Sequence, residues 1–425
     1  MPDASLSKEE RKARKRHFKS TKNRPAHIDD TWSPFRAAEK KYKARYPPLD
    51  LSDVLDLSSD AEAHDYTWHG RPDAVHVHDI STTDTRIVTV PSIPGLVVLP
   101  SFLSPQKQRA LVRWALRDHA RPPNETNLDT HYVLPSDGLW TAHLSPSHPL
   151  IDPRPPPPDA EPTPAGPRTL IANTPATVTN VSEIAALPKP PTAPATTASP
   201  ASPDVLLPRL RWANIGWFYH WGTKQYDFTR GKVAVDPRIK QVCRQAVASV
   251  DWSAVFGAST MENDKGWGDD DWRQWGDTYE PDAGIVNFYQ TKDTLMAHVD
   301  RSEVCATSPL VSISIGNAAI FLIGGQTRDE PPVPILLHSG DVVMMAGPYC
   351  RRAYHGVPRI LANSLPRHLV DGPCPQDGNI DDDEVEEEND WAPYAAYLRN
   401  ARINVNVRQV FPRGFDPSKE DNHTC

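Results

Sequence analysis

Two histidines and a carboxylate stand at positions that would let them share one metal ion. His298-Val299-Asp300 places an imidazole and a carboxylate at i and i+2, which on a strand lie on one face. His355 follows later, after a Gly340-Asp341 turn and the apolar run Val342-Val343-Met344-Met345. Two histidines with one carboxylate form the facial triad of non-haem iron(II) oxygenases, which leaves positions open for a co-substrate and dioxygen. The spacing alone is weak evidence. His27-Ile28-Asp29 repeats it within a basic stretch, and a loop histidine that holds a turn is the simpler account of His355 by itself.

A second pattern stands near the C-terminal end. Arg402-Ile403-Asn404-Val405-Asn406-Val407-Arg408 alternates strictly, with every polar residue on one face. That face is too polar for a core. A guanidinium is a planar fork that matches a carboxylate in bidentate fashion. Two arginines and two amides in the mouth of a small barrel could hold a dicarboxylate beside a metal; an amphipathic strand with one wet face is the alternative.

The elements that must position these residues are short strands. From Gly284 onward the segments IVNFYQ, LMAHVD, LVSISI, AAIFLI, ILLHSGDVVMM and ARINVNVRQV are separated by Gly, Asn and Asp turns. Regular short strands of this kind predict an antiparallel sandwich or jelly roll. Upstream, Pro91 to Leu99 reads as extended. Ser104 to Asp118 reads as a helix with Ser104 as N-cap and Pro105 at its first position. Further helices are predicted over Pro237 to Val250 and Ser33 to Arg45, the latter stopped by Pro47 and Pro48. The fold class is mainly β with flanking helices (α+β).

The 425 residues include 45 prolines and only 38% hydrophobic side chains, so part of the chain cannot enter a core. Ser145 to Pro203 is rich in Pro, Ala and Thr without periodicity and is expected to be a disordered or polyproline insert. The formal charge of -8 hides a basic start and an acidic block from Asp381 to Glu388, so the total says little about partners. Five scattered cysteines without CxxC pairing suggest a reducing compartment, with neither a disulfide framework nor a zinc site. No apolar run reaches the ~20 residues of a membrane span. Asp3, Glu9 and Glu10 without an apolar stretch argue against a secretory signal and weigh against a mitochondrial presequence. The expectation is a nuclear and/or cytoplasmic protein, with mitochondria left open.

Gly284 to Val410 resembles the catalytic core of the AlkB family, above all its eukaryotic type-one homologues. The phrases HVDRSE, AIFLIGG, RDE-P, HSGDVV and AR-N--VRQV stand in the family's order, and PGLVVLPSFLS and LRW--IGWFYHW extend the match weakly upstream. The resemblance implies a double-stranded β-helix (jelly-roll) dioxygenase core with an N-terminal nucleotide-recognition flap. It implies iron(II) held by His298, Asp300 and His355, with dioxygen and 2-oxoglutarate as co-substrates. It further implies 2-oxoglutarate contacts from Asn287, Tyr289, Arg402, Asn404 and Arg408, and substrate contacts from Arg301 and Ser302. Bacterial members carry an acid where Ser302 stands, followed here by Glu303, so their base preference does not transfer directly. On this reading 1–48 is a basic, largely disordered tail and 49–144 an extension packing on the core. Residues 145–204 are the insert, 205–282 the flap and helix, 283–412 the core with an acidic insert at 361–390, and 413–425 a tail.

An AlkB-type enzyme must hold a flipped or single-stranded base outside its stack. Arg209 to Arg230 has suitable materials: Trp217, Tyr219, Trp221 and Tyr226 as stacking candidates and Lys224 for phosphate, although such rings more often pack a core. The expected partner is DNA or tRNA, single-stranded or locally unpaired, acted on by a monomer that oxidatively demethylates its bases, methyladenine foremost. The alternatives are a protein (histone)-directed oxygenase and an AP-site lyase activity on DNA.

Overall fold

The computed structural model describes residues 7–21, 32–45, 48–59, 67–147, 149–155, 174–189, 192–257, 272–370, 372 and 390–415. His27-Ile28-Asp29, the acidic block and residues 416–425 lie outside the described residues.

Eight antiparallel strands build the core. They are β8 (Ala283–Gln290), β9 (Leu295–His298), β10 (Leu310–Gly316), β11 (Ala319–Ile323), β12 (Val333–Leu337), β13 (Val342–Met345), β14 (His355–Ile360) and β15 (Ala401–Arg408). They divide between two sheets, with only the hairpin of β11 and β12 staying within one. One runs β13-β10-β15-β8 and the other β12-β11-β14-β9, which is the strand order of a jelly roll. The larger sheet continues through β5 (Trp212–Gly216) on one side and on the other through β4 (Leu96–Leu99), β3 (Val88–Thr89) and β2 (His78–Asp79). The smaller sheet gains β1 (Leu55–Asp56), paired parallel to β12. β6 (Tyr219–His220) and β7 (Gln225–Tyr226) form a separate hairpin in the expected flap.

The alternation in β15 sorts its residues between two environments. Ile403, Val405 and Val407 join Val286, Phe288, Val311 and Ile313 in the large cluster beneath the helices. Arg402, Asn404, Asn406 and Arg408 therefore face into the roll. α3 (Pro105–Arg113) packs on the outer side of this sheet through Leu111 and Val112, and the hydroxyl of its N-cap Ser104 accepts from the Lys107 N–H at 3.3 Å. A π-helical turn, Trp114–His119, extends it. α5 (Pro237–Ala248) and α6 (Trp391–Leu398) complete the cover. β14 and α6 were not foreseen, because His355 reads as a loop residue and the acidic insert masks the approach to β15.

Three expected segment boundaries change. The basic start is not uniformly a tail: α2 (Pro34–Lys43), capped by Ser33, buries Phe35, Glu39 and Tyr42 against the smaller sheet. α1 (Lys8–Thr21) precedes it and begins with a reciprocal Ser7–Glu10 cap. The Pro-rich insert packs in its described parts. Ile151 and Ala201 bridge, while α4 (Val181–Ala186) buries Val181 and Ile184 beside Tyr226, Val304 and Phe411. Spaced apolar residues suffice for this where periodicity is absent. The insert after β14 begins later than position 361, since Leu361, Ser364 and Leu369 are buried.

Candidate active site

β9 and β14 are neighbours, and His298 lies directly opposite His355 in their register. Their ring centroids are 4.4 Å apart. Gly356 makes this approach possible: a Cβ there would lie 3.0 Å from the Leu295 carbonyl oxygen and 3.1 Å from the Ala297 nitrogen. Asp300 is just beyond the end of β9, so it shares no strand face with His298, yet the chain returns its carboxylate to within 3.7 Å of His298 Nε2. Ligand atoms of His298, Asp300 and His355 all lie within 4.8 Å of one another. Each histidine engages its Nδ1 with a backbone carbonyl, Met296 at 2.9 Å and Ala353 at 3.0 Å. If each Nδ1 donates, the Nε2 lone pairs are free for a metal, a common arrangement in histidine sites.

The charges suit a cation. Burial would raise the Asp300 carboxyl, but the Arg408 guanidinium, helped by both histidines, outweighs it and holds the acid well below the usual range. Burial, reinforced by His298, pushes His355 down to about 4 against the pull of Asp300. At neutral pH the set is a carboxylate with a neutral His355, which is the ligating form. Arg408 Nη1 donates to Asp300 Oδ2 at 3.1 Å and to Glu303 Oε1 at 2.8 Å. This fixes Asp300 from behind.

The inner face of β15 fits an acidic co-substrate. Arg402 is 2% exposed and donates to the carbonyls of Asn317 at 2.9 Å and Leu337 at 3.4 Å and to Ser314 Oγ at 2.6 Å. Among the described residues no carboxylate stands within salt-bridge distance of it, and burial pulls its pKa down to about 10. A buried cation held only by neutral acceptors calls for an anion. Tyr289 lies opposite Arg402, and Asn287 opposite Asn404, with Asn287 Nδ2 donating to Asn404 Oδ1 at 3.3 Å. Among the described residues, Asn406 Oδ1 and Arg408 Nε are buried without a hydrogen-bond partner. Ser314 was missed from sequence, although it alternates with Ser312 on the inward face of β10 and pairs opposite Asn404.

The flap residues separate. Trp217 is half-buried between Phe228 and Phe411, and its Nε1 donates to Asp282 at 3.3 Å. Tyr226 is 4% exposed, with its hydroxyl 3.5 Å from Glu303. Both pack the flap. Trp221, by contrast, is 43% exposed, with Tyr219 at 4.9 Å and Trp212 at 5.2 Å between ring centroids. Tyr219 reaches Ser302 Oγ at 3.3 Å, and Ser302 Oγ donates to the Lys224 carbonyl at 2.8 Å, so flap and metal loop are directly joined. The Lys224 side chain is exposed and Arg301 half-buried.

Residues 180–408 match the model of the 2OG-Fe(II) oxygenase superfamily. The chain is 28% identical over 388 residues to a Schizosaccharomyces pombe protein described as tRNA demethylase abh1, covering 89% of this chain and 96% of that one. It is 27% identical, with the same coverage, to the DNA N(6)-methyladenine demethylase ALKBH1A of Arabidopsis thaliana. Nucleic acid dioxygenase ALKBH1 of Mus musculus is 30% identical over 76% of this chain and 66% of its own length.

Proposed function

The chain belongs to the AlkB family of iron(II)- and 2-oxoglutarate-dependent dioxygenases, and from that premise we propose that it demethylates methylated bases, methyladenine foremost, in DNA or tRNA. The observation that carries this is the convergence of three ligand side chains in the roll whose inner face also holds a buried Arg402 with no carboxylate at salt-bridge distance among the described residues. Iron(II) bound with 2-oxoglutarate and dioxygen supplies oxidation of an N-methyl C–H bond, with succinate, CO2 and formaldehyde as products.

The protein's share is position. His298, Asp300 and His355 would hold the metal, and Arg408 fixes the Asp300 carboxylate through its bond to Oδ2. Arg402 and the Ser314 hydroxyl receive the remote carboxylate of 2-oxoglutarate, with Tyr289, Asn287 and Asn404 lining the approach. Trp221 supplies an exposed face for a displaced base, and Tyr219 braces that ring while tying it to Ser302. Stacking of this kind contributes roughly 1–3 kcal/mol per base and tolerates any sequence. Lys224, Arg301 and the exposed cations of α1 (Lys8, Arg11, Lys12, Lys15 and Arg16) face phosphate. Single-stranded or locally unpaired nucleic acid is the preferred form, a monomer suffices, and α1 suits import into the nucleus. Among the described residues no helix is long and apolar enough to cross a membrane.

The test is which polymer stimulates 2-oxoglutarate turnover. Methylated oligonucleotides should raise succinate production and a methylated histone peptide should not. The opposite ranking would leave the oxygenase standing and overturn the substrate.

A further inference from the structure

Ala297 immediately precedes His298, and its backbone N–H and carbonyl, in the two successive peptide units that lead into His298, are held from outside the roll by two charged side chains. Glu39 Oε1 accepts a hydrogen bond from the Ala297 N–H at 2.7 Å, and Arg328 Nη2 donates to the Ala297 carbonyl at 3.0 Å. Among the described residues β9 is the edge strand of the smaller sheet, so no further described strand pairs with these two groups. The ladder on its other side is short and irregular, with a register shift between His355 and Val357. Alone, it locates His298 poorly.

Glu39 belongs to α2, 258 residues earlier in the chain. It is 5% exposed, and its second oxygen accepts from Arg36 at 3.0 Å. Phe35 and Tyr42 anchor the helix in the cluster that contains Ala297, Ile320 and Leu322. The same block reaches the other histidine. The Phe35 ring lies 6.3 Å from that of Tyr354, the residue before His355, and the Arg328 guanidinium lies 5.1 Å from the Tyr354 ring centroid. The Phe35 N–H donates to the Arg328 carbonyl at 3.1 Å, which closes the unit.

We infer that Glu39 is a positioning residue for the metal centre, and that docking of α2 and occupancy of the centre stabilise one another. This rests on His298, Asp300 and His355 being the ligands. Movement of the Ala297 peptide carries the His298 backbone with it, and a ligand set must be held to within about 0.5 Å of its working geometry. Glu39 provides a charge-assisted acceptor on a buried N–H, the stronger class of hydrogen bond. Coupling of this kind is reciprocal: what α2 contributes to metal affinity, metal returns to α2.

The test titrates metal-free, full-length protein with Co(II), read by its visible absorption, and needs no turnover. Glu39→Ala should weaken Co(II) binding by about 10- to 100-fold, the usual effect of losing a group that supports a ligand. Glu39→Gln keeps an acceptor at Oε1 and should stay within about fivefold of wild type, since a neutral bond is roughly half as strong. In wild type, Co(II) should slow amide hydrogen exchange across residues 34–43. Wild-type affinity in folded Glu39→Ala overturns the inference, as does a loss in Glu39→Gln equal to that in Glu39→Ala. If Glu39→Ala folds poorly, the exchange measurement decides: no slowing across α2 contradicts the coupling. Failure of wild type to bind Co(II) rejects the ligand assignment beneath it.

Discussion

Arg402 stands out in the site as a cation with no carboxylate at salt-bridge distance among the described residues. It is a buried guanidinium whose partners are two carbonyls and a hydroxyl. Arg402→Ala should weaken 2-oxoglutarate binding by about 2–5 kcal/mol, the usual cost of removing one partner of a desolvated charge pair. Arg402→Lys should recover only part of it, because the bidentate fork is lost. Titration of metal-loaded protein with 2-oxoglutarate checks both, and wild-type affinity in the alanine variant would move the pocket elsewhere. A different buried group sets a pH response. Burial pushes the pKa of His119, packed 4.5 Å from Trp114, down to about 4. The unfolded chain binds that proton more readily, so His119 leaves stability undiminished above about pH 6.5 and imposes a penalty that grows as pH falls toward 4. Fully developed, that penalty amounts to about 3 kcal/mol. His119→Gln should flatten the wild-type stability curve in that window, and parallel curves would refute the assignment. The Arg402–Arg408 face was legible because a two-residue period is a local property; the triad was legible only through the family resemblance, since Asp300 lies beyond the end of β9 and shares no strand face with His298. Glu39 was not, since nothing near it in sequence shows that it caps a strand edge far along the chain.

Elements were legible where their periodicity was strong. The short strands after Gly284 and the capped helix at Ser104 stand where expected, while Trp217 and Tyr226 turned out to pack the flap. Aromatic content alone does not tell a core ring from an exposed one; that depends on which face the hairpin offers to Phe228 and Phe411. Trp221 is the exposed ring, so Trp221→Ala should lower nucleic-acid turnover with 2-oxoglutarate binding unchanged. Replacement of Trp217 should instead lower thermal stability. A Trp221→Ala enzyme with full activity on oligonucleotides would remove the hairpin from the substrate path. The described part of the Pro-rich insert packs, while 156–173 is Pro- and Ala-rich by composition. Deletion of 156–173 with a short linker should be tolerated, because loop closure depends only weakly on length. Deletion of 174–189 removes the buried Val181 and Ile184 and the bond from the Ala176 N–H to the Arg301 carbonyl at 2.8 Å. It should cost roughly 3 kcal/mol and disturb the loop that carries Asp300. Equal melting temperatures for the two deletions would contradict this division.

At the scale of the whole molecule, α2 packs along the β9 edge that ends in His298, and the hairpin is joined to the loop after Asp300 through Ser302. A base inside a duplex must be unpaired to enter, at a cost of a few kcal/mol that a bulge or single strand avoids. Bulged or single-stranded substrates should therefore turn over faster than paired ones. Removal of residues 1–31 should reduce the slope of log affinity against log salt, since the exposed cations of α1 go with it. The formal charge of -8 concealed this, because acidic and basic residues are segregated along the chain. The most direct test weighs an oligonucleotide containing one N-methylated adenine before and after incubation with protein, iron(II), 2-oxoglutarate and air. The prediction is loss of the methyl group's mass, with formaldehyde and succinate released and no reaction when iron or 2-oxoglutarate is withheld or His298 is replaced by Ala. Loss of the methyl group by the His298→Ala variant, or its retention by wild type on every methylated DNA and tRNA strand while 2-oxoglutarate is still consumed, would contradict the account.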